Sequence, residues 1–285
     1  MRSRPKKKFK GERNPRVAGL VSSWAGSDVG MKREKNEDSF FADSNLMTYV
    51  VADGMGGHAA GEMASQLAVE VLRQTVREAR GSTSALRLAS DKRESPEILQ
   101  FLQEAVSAAS HRIKETANAN PALEGMGTTV TMMLFSGARG YVGHVGDSRL
   151  YRMRNGKVDQ LTEDHSLVNE QIKAGFITPE EAQFSRYRNI ITRSVGFESD
   201  VQADTFSVIA QPGDIFLLCS DGLTGMVLDD ELGEVLNKTP LEDAVPELIH
   251  RANRHGGDDN ITVVLLQYKG LGSRRSIGSK RKKRL

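Results

Sequence analysis

The sequence predicts an α+β fold in which helices pack outside antiparallel sheets. Three observations carry this. Apolar runs of strand length come in pairs joined by tight turns, and Asn155-Gly156 between runs 150–153 and 158–161 is a strong hairpin signal. Helical periodicity is confined to blocks, so strands and helices do not alternate as βαβ crossovers require. The order reads strands, two helices, strands, a helical insert, strands, helix, strand.

Residues 46–52 form a short β-rich run that ends at Asp53-Gly54. Ala64, Leu67, Ala68, Val71, Leu72 and Val76 then recur at helical spacing, which predicts a helix over 62–80. Residues 81–94 are polar and read as a loop. Ser95-Pro96-Glu97 is a helix start, a cap residue followed by proline at the first helical position. Ile98, Leu102, Val106, Ala109 and Ile113 share one face of that helix, which runs to about 118. Strands follow at 128–135, 140–145, 150–153 and 158–161. Capping boxes at Thr178-Pro179-Glu180-Glu181 and Thr239-Pro240-Leu241-Glu242 start two further helices. The compact apolar runs 215–219 and 261–266 read as central strands.

Composition is that of a soluble globular protein, with 38% hydrophobic and 27% charged residues. No run approaches the roughly 20 apolar residues of a membrane span. Ser22 and Ser23 break the apolar stretch that begins at Val17, so a signal peptide is not expected and the protein reads as cytoplasmic. The single cysteine excludes an intrachain disulfide and leaves any metal to oxygen or imidazole ligands. The net charge of +2 conceals an asymmetry. Residues 1–16 carry eight Lys/Arg against one acid, and residues 270–285 carry seven against none. The body between them holds 24 bases against 36 acids, a net charge of −12. Such tails suit phosphate-rich partners such as nucleic acid, ribosomes or anionic lipid, and equally suit disordered solubilising ends.

The placement of acidic residues carries the most information. Asp53-Gly54, Asp147, Asp221-Gly222 and Asp259-Asn260 all stand at ends of predicted strands, and Glu37-Asp38 precedes the short apolar run 39–42. One Asp-Gly is ordinarily a turn. Several carboxylates brought to one sheet end repel unless cations neutralise them, and hard divalent ions such as Mg²⁺ and Mn²⁺ select oxygen ligands. The stretch from Gly54 to Gly61, with His58 inside it, lets backbone approach an ion or a phosphate, yet it matches neither common nucleotide-binding glycine pattern. Arg33 is a candidate anion grip, or an ordinary surface arginine.

Six stretches, in order, resemble the type 2C (PPM) metal-dependent protein phosphatases in their bacterial form. They are the segments 30–38, 53–62, 125–129, 146–149, 220–223 and 259–262. The resemblance implies a four-layer αββα sandwich over 17–269 with a flap insert at about 162–196, between basic tails at 1–16 and 270–285. It implies two Mn²⁺ or Mg²⁺ ions, with Asp53 bridging them, Asp221 and Asp259 completing one and the Gly54 carbonyl binding the other. Glu37 and Asp38 would act around that second ion, partly through water. Asp147 with Asp221 matches a third, weaker ion, and Arg33 matches the phosphate-binding arginine. Met55 stands where eukaryotic relatives place a proposed acid histidine. His58 is therefore expected either to protonate the leaving oxygen or to hydrogen-bond a ligand carboxylate. His144 and His165 read as structural.

The implied reaction is hydrolysis of phosphoserine and phosphothreonine in proteins by a water that two cations activate, without a covalent phosphoenzyme. A Ser/Thr kinase is the expected opposing enzyme and a monomer the expected state. Other phosphatase chemistries fail on residues. Cys219 has Gly225 where a cysteine phosphatase needs arginine, no Asp-x-Asp occurs, and zinc-hydrolase motifs are absent.

Overall fold

A computed structural model of the chain describes residues 20–56, 60–82 and 94–270. The basic tails, most of the predicted loop 81–94 and His58 lie outside the described residues. Two antiparallel sheets face each other. The first has the order β1 (Val21–Asp28), β11 (Ile261–Tyr268), β10 (Ile215–Cys219), β7 (Arg149–Arg154), β8 (Lys157–Gln160). The second runs β2 (Asp38–Asp43), β3 (Thr48–Met55), β5 (Val130–Ser136), β6 (Arg139–Val145), β9 (Asp204–Ile209), with the two-residue β4 (Gly127–Thr128) on β3.

The helices cover the outer faces. On the second sheet lie α1 (Ala60–Ser82) and α2 (Pro96–Ala119). Ala64, Ala68, Leu72 and Val76 recur every four residues along α1, and all four are fully buried against that sheet and α2. The insert between β8 and β9 carries two short helices, α3 (Leu167–Lys173) and α4 (Pro179–Gln183). The one-turn α5 (Asp221–Thr224) follows β10. Across the first sheet lie α6 (Asp229–Lys238) and α7 (Leu241–Arg254). The result is four layers, αββα, as the family resemblance implies.

Three apolar clusters match these layers: one between α1/α2 and the second sheet, one between the sheets, and one between the first sheet and α6/α7. Every residue of β5 and of β10 is buried, because both faces of these central strands are covered. That is why β10 reads as an unbroken apolar run rather than an alternating one. Phe135 of β5 meets Phe216 of β10 edge-on at 5.8 Å and stacks on Tyr268 of β11 at 6.0 Å, which locks the two sheets face to face.

The β7–β8 hairpin turns at Asn155 and Gly156, whose φ angles of 52° and 80° are those a two-residue primed turn demands. Thr178 caps α4 in a full capping box. The second predicted box does not form. Thr239 ends α6, a helix the periodicity did not reveal, and α7 starts one residue after the intervening Pro240 with no side-chain cap. Ser22 and Ser23, which break the early apolar run, lie within β1 at the edge of its sheet.

Candidate active site

Antiparallel pairing collects the acidic residues at one end of the sandwich. Asp38 opens β2 and lies directly opposite Asp53 near the end of β3. Asp147 sits in the reversal between β6 and β7. On the facing sheet, Asp221 follows β10 and Asp259 precedes β11, and these strands are antiparallel neighbours, so both residues fall at the same end. Glu37 stands one residue before β2.

These groups perturb one another strongly. Burial pushes the Asp53 carboxyl well above the usual range, and the charges of Asp38, Asp221, Asp147 and Asp259 push it further. Burial likewise raises Asp38 to about 7, against the opposing hydrogen bonds of Thr262 and Ser220. Asp147 rises to about 8 through burial and the neighbouring Asp221 and Asp164. Asp221 is raised by burial and by Asp259, and a hydrogen bond with Asp53 opposes the rise. Burial raises Glu37 too, with Arg33 pulling the other way. One carboxylate oxygen each of Asp38 and Asp147 is buried without any hydrogen-bond partner.

An orphaned buried carboxylate oxygen is costly and calls for a cation. The donor set here is all oxygen, which suits Mg²⁺ or Mn²⁺ and not a thiolate metal. Among the described residues no three acidic, histidine or cysteine side chains form a ready-made cage. Hard ions tolerate that, since backbone carbonyls and retained water complete their shells. The residues therefore fit a divalent oxygen-ligated centre. Gly54 adds to the fit: a Cβ there would stand 2.1 Å from the Gly61 carbonyl oxygen and 2.6 Å from that of Glu37. Only glycine lets β3, the first turn of α1 and the Glu37 backbone meet this closely.

A polar frame holds the carboxylates in place. Asn260 donates from Nδ2 to the carbonyls of Val29 (3.0 Å) and Lys35 (2.8 Å), while its Oδ1 accepts from the Glu37 amide at 2.7 Å. Ser220 donates to Asp38 Oδ2 at 2.8 Å and accepts from the Thr262 amide at 2.9 Å. Thr129 Oγ1 accepts from the Asp53 amide at 2.9 Å and bonds the Ser148 hydroxyl at 2.8 Å. These residues lie within the six family-like stretches, and Ser148, Ser220 and Asn260 each adjoin a candidate aspartate, whereas nothing in its neighbourhood marks Thr129.

Arg33 reaches the same end, and its Nη2 donates to Asp259 Oδ2 at 2.6 Å. His144 bonds Thr131 and the Glu163 carbonyl, and burial lowers its pKa to about 4. His165 accepts the Gly146 amide proton at 3.0 Å and meets Asp204, which ties the insert to the Asp147 turn. Both are framework histidines. Cys219 is buried, its thiol pushed up to about 12, so it is no nucleophile. Beside Met55 opens a groove of about 310 Å³, lined by Ile191, Arg193, Ser194, Phe197 and Val201 among others.

Residues 29–265 match the protein phosphatase 2C family model. The chain is 40% identical over 245 residues to a serine/threonine phosphatase, stp, of Listeria monocytogenes, covering 85% of this chain and 93% of that protein. It superposes on the crystal structure of the Mycobacterium tuberculosis serine/threonine phosphatase PstP/Ppp with a TM-score of 0.78 and 38% identity, covering 87% of this chain and 99% of that one. A structure of the PstP catalytic domain in complex with two manganese ions matches at a TM-score of 0.74 and 38% identity, over 87% of this chain and 97% of that one.

Proposed function

The chain belongs to the protein phosphatase 2C family, and from that premise we propose that it removes phosphate from phosphoserine and phosphothreonine in proteins with the help of two Mn²⁺ or Mg²⁺ ions. The observation that carries this reading is the set of mutually repelling buried carboxylates, two of them with an orphaned oxygen, at one end of the facing sheets. In this reading Asp53 would be shared by the two ions, Asp221 and Asp259 would help hold one, and the Gly54 carbonyl would help hold the other with Glu37 and Asp38 around it. Asp147 with Asp221 would hold a third, weaker ion. Bound divalent ions supply a water of lowered pKa and positive charge for the phosphoryl oxygens.

The chain's own groups do the rest. Arg33, half exposed and paired through Nη2 with Asp259, has further guanidinium donors that would grip the phosphate. Asn260, Ser220 and Thr129 keep Glu37, Asp38 and Asp53 from drifting as charge changes at the site. The residues flanking the phosphoresidue lie along the groove beside Met55, bordered by the flap at about 162–196. His58 acts as proton donor to the leaving alkoxide or as a hydrogen bond to a ligand carboxylate.

The phosphatase domain spans 17–269, works as a cytoplasmic monomer against a Ser/Thr kinase, and uses its basic tails to contact a phosphate-rich partner. Among the described residues no helix is long and apolar enough to cross a membrane. The deciding experiment is hydrolysis of a phosphothreonine peptide before EDTA, after EDTA and after Mn²⁺ add-back. Activity should vanish with EDTA and return with Mn²⁺. Undiminished turnover in EDTA, or none under any condition, rejects the reading.

A further inference from the structure

The second sheet ends at β2, and a groove of about 500 Å³ opens along that edge. It touches Ser27 of β1, in the facing sheet, and Val69, Glu70 and Arg73 of α1, which covers the outer face. A cleft that reaches both neighbouring layers runs along the free side of β2 itself. The backbone register agrees. Asp53 turns its amide and its carbonyl toward Thr129, at 2.9 and 2.8 Å. Bonding directions alternate along a strand, so Asp38, opposite Asp53, directs its own backbone groups away from β3, and so do Phe40 and Ala42. Asn36 Oδ1 accepts the Asp38 amide proton at 3.1 Å and closes the edge at its active-site end. The Phe40 side chain beside it is 38% exposed.

Helix α1 and β2 lead away from the carboxylates side by side. Ser65 donates to the Glu37 carbonyl at 2.6 Å and bonds the Ser39 hydroxyl at 2.9 Å. Further along, Arg73 stands over the Phe41 ring, 5.3 Å from its centroid. Gln66, Val69, Glu70 and Arg73 recur at i, i+3, i+4 and i+7, so all four face the groove. From Gln66 to Arg73 the helix advances about 10 Å, the reach of about three residues of extended chain. Glu70 stands nearer the carboxylates and Arg73 farther, and among the described residues neither forms an ion pair. Asp38 lines the near end of the groove and also presses on Asp53 in the carboxylate cluster.

We propose that this edge is a second substrate groove, where an extended segment of the phosphoprotein adds as a strand beside β2. The segment carries a base nearer the phosphoresidue, opposite Glu70, and an acid two residues farther, opposite Arg73. Alternate side chains of a strand share one face about 6–7 Å apart, close to the advance of one helical turn from Glu70 to Arg73. Main-chain bonds to Phe40 and Ala42 supply affinity and the two charges supply selection. This deepens the phosphatase reading above and rests on it. The groove beside Met55 takes one flank of the phosphoresidue, on the side of the flap that leads into β9. This groove takes the other flank, since β2 and β9 are opposite edges of one sheet. Its volume is that of a ligand pocket, about 300–1,000 Å³. Three or four residues of strand bury far less than the roughly 800 Å² per partner of a stable dimer, which favours a peptide over a second copy of the chain.

The test uses two phosphothreonine peptides of identical composition, one with Lys-x-Glu and one with Glu-x-Lys reading outward from the phosphothreonine. The triplet is placed at successive distances on either side. At one placement the wild-type chain with Mn²⁺ should favour the Lys-x-Glu order by about fivefold in kcat/KM, the worth of exposed ion pairs, mainly through KM. The double variant Glu70→Lys, Arg73→Glu should reverse that preference, and its gain on the Glu-x-Lys peptide shows that it is folded and active. Discrimination below about twofold at every placement, or the same preference in both proteins, overturns the groove. Methylating the peptide amides of the triplet one at a time should lower kcat/KM at alternate residues only, and no loss at any of them overturns the strand pairing. A dimer in sedimentation velocity that Arg73→Glu disperses gives the edge to a second copy and overturns the choice of occupant. If no peptide is turned over under any condition, the phosphatase reading has failed. Anisotropy of the same labelled peptides then decides the groove: a preference in Kd that reverses in the double variant supports it, and equal Kd values overturn it.

Discussion

Replacing Asn260 with alanine should cost more than replacing any single exposed charge of the site. The side chain is 4% exposed and makes three hydrogen bonds to backbone, at 2.7, 2.8 and 3.0 Å. Alanine removes the side-chain partner of the Glu37 amide and of the Val29 and Lys35 carbonyls. Each partly buried orphan costs about 1–2 kcal/mol, so the three together cost about 3–6 kcal/mol. The same bonds hold the segment that carries Arg33, Glu37 and Asp38, so catalysis should fall together with stability. Urea unfolding at fixed Mn²⁺ measures the first, and kcat/KM on a phosphothreonine peptide the second. Asn260→Asp separates the two bonding roles: it keeps the acceptor for Glu37 but sets a carboxylate oxygen against the Val29 and Lys35 carbonyls and adds a charge to the cluster, and should be at least as destabilising as alanine. A destabilisation below about 1 kcal/mol with normal kcat/KM would refute the idea that this residue organises the site.

Three other outcomes are expected. Asp221→Asn should abolish Mn²⁺-dependent turnover while raising the melting temperature of the EDTA-treated protein by a few degrees, about 2–4 °C per kcal/mol of relieved repulsion; retained turnover removes Asp221 from the chemistry. Arg33→Ala should lower kcat/KM by about 10–100-fold, the worth of one charge-assisted contact, and Arg33→Lys should recover only part of it; an unchanged kcat/KM takes Arg33 out of phosphate recognition. In EDTA, stability should decline as pH rises, because carboxyls with raised folded pKa values bind more protons folded than unfolded. The Asp38 window runs from 3.8 to about 7 and the Asp147 window from 3.8 to about 8. At 1.36 kcal/mol per unit the first holds roughly 4 kcal/mol at most, and a metal-free melting temperature that climbs with pH across this range contradicts it.

Much of the architecture was legible because burial imposes a period. The i, i+4 spacing of Ala64, Ala68, Leu72 and Val76 exposed α1, and the compact apolar runs at β10 and β11 exposed strands covered on both faces. Helix α6 was missed because its apolar side is only Leu232, Val235 and Leu236, too short a stripe to stand out from a loop. Thr239, whose sequence context imitates a helix start, serves instead as the end of that helix. The carboxylates were legible as acids at strand ends. Their pairing was not: Asp38 faces Asp53 only through the β2–β3 register. Asn260 and Ser220 were illegible as organisers because their partners lie far away in sequence, Ser220 reaching Asp38 across 182 positions and Asn260 reaching Lys35 across 225.

Six acids at one end of a well-packed sandwich, Glu37 and five aspartates, set folding against function. Apolar residues there would extend the inter-sheet core formed around Phe135 and Phe216 and would remove the repulsion that raises Asp38, Asp53 and Asp147. The frame of Asn260, Ser220 and Thr129 does not cancel that repulsion. It fixes backbone amides and hydroxyls around the acids and leaves one oxygen of Asp38 and one of Asp147 without a partner. A sandwich that needed only stability would have satisfied those oxygens from within. Leaving them unsatisfied makes stability conditional on a bound cation, which stabilises the folded state in proportion to RT ln(1 + [M]/Kd). The same arrangement holds the acids oriented where the phosphate arrives, and a bound cation would favour their charged form, so the groups that weaken the metal-free fold are those on which turnover depends.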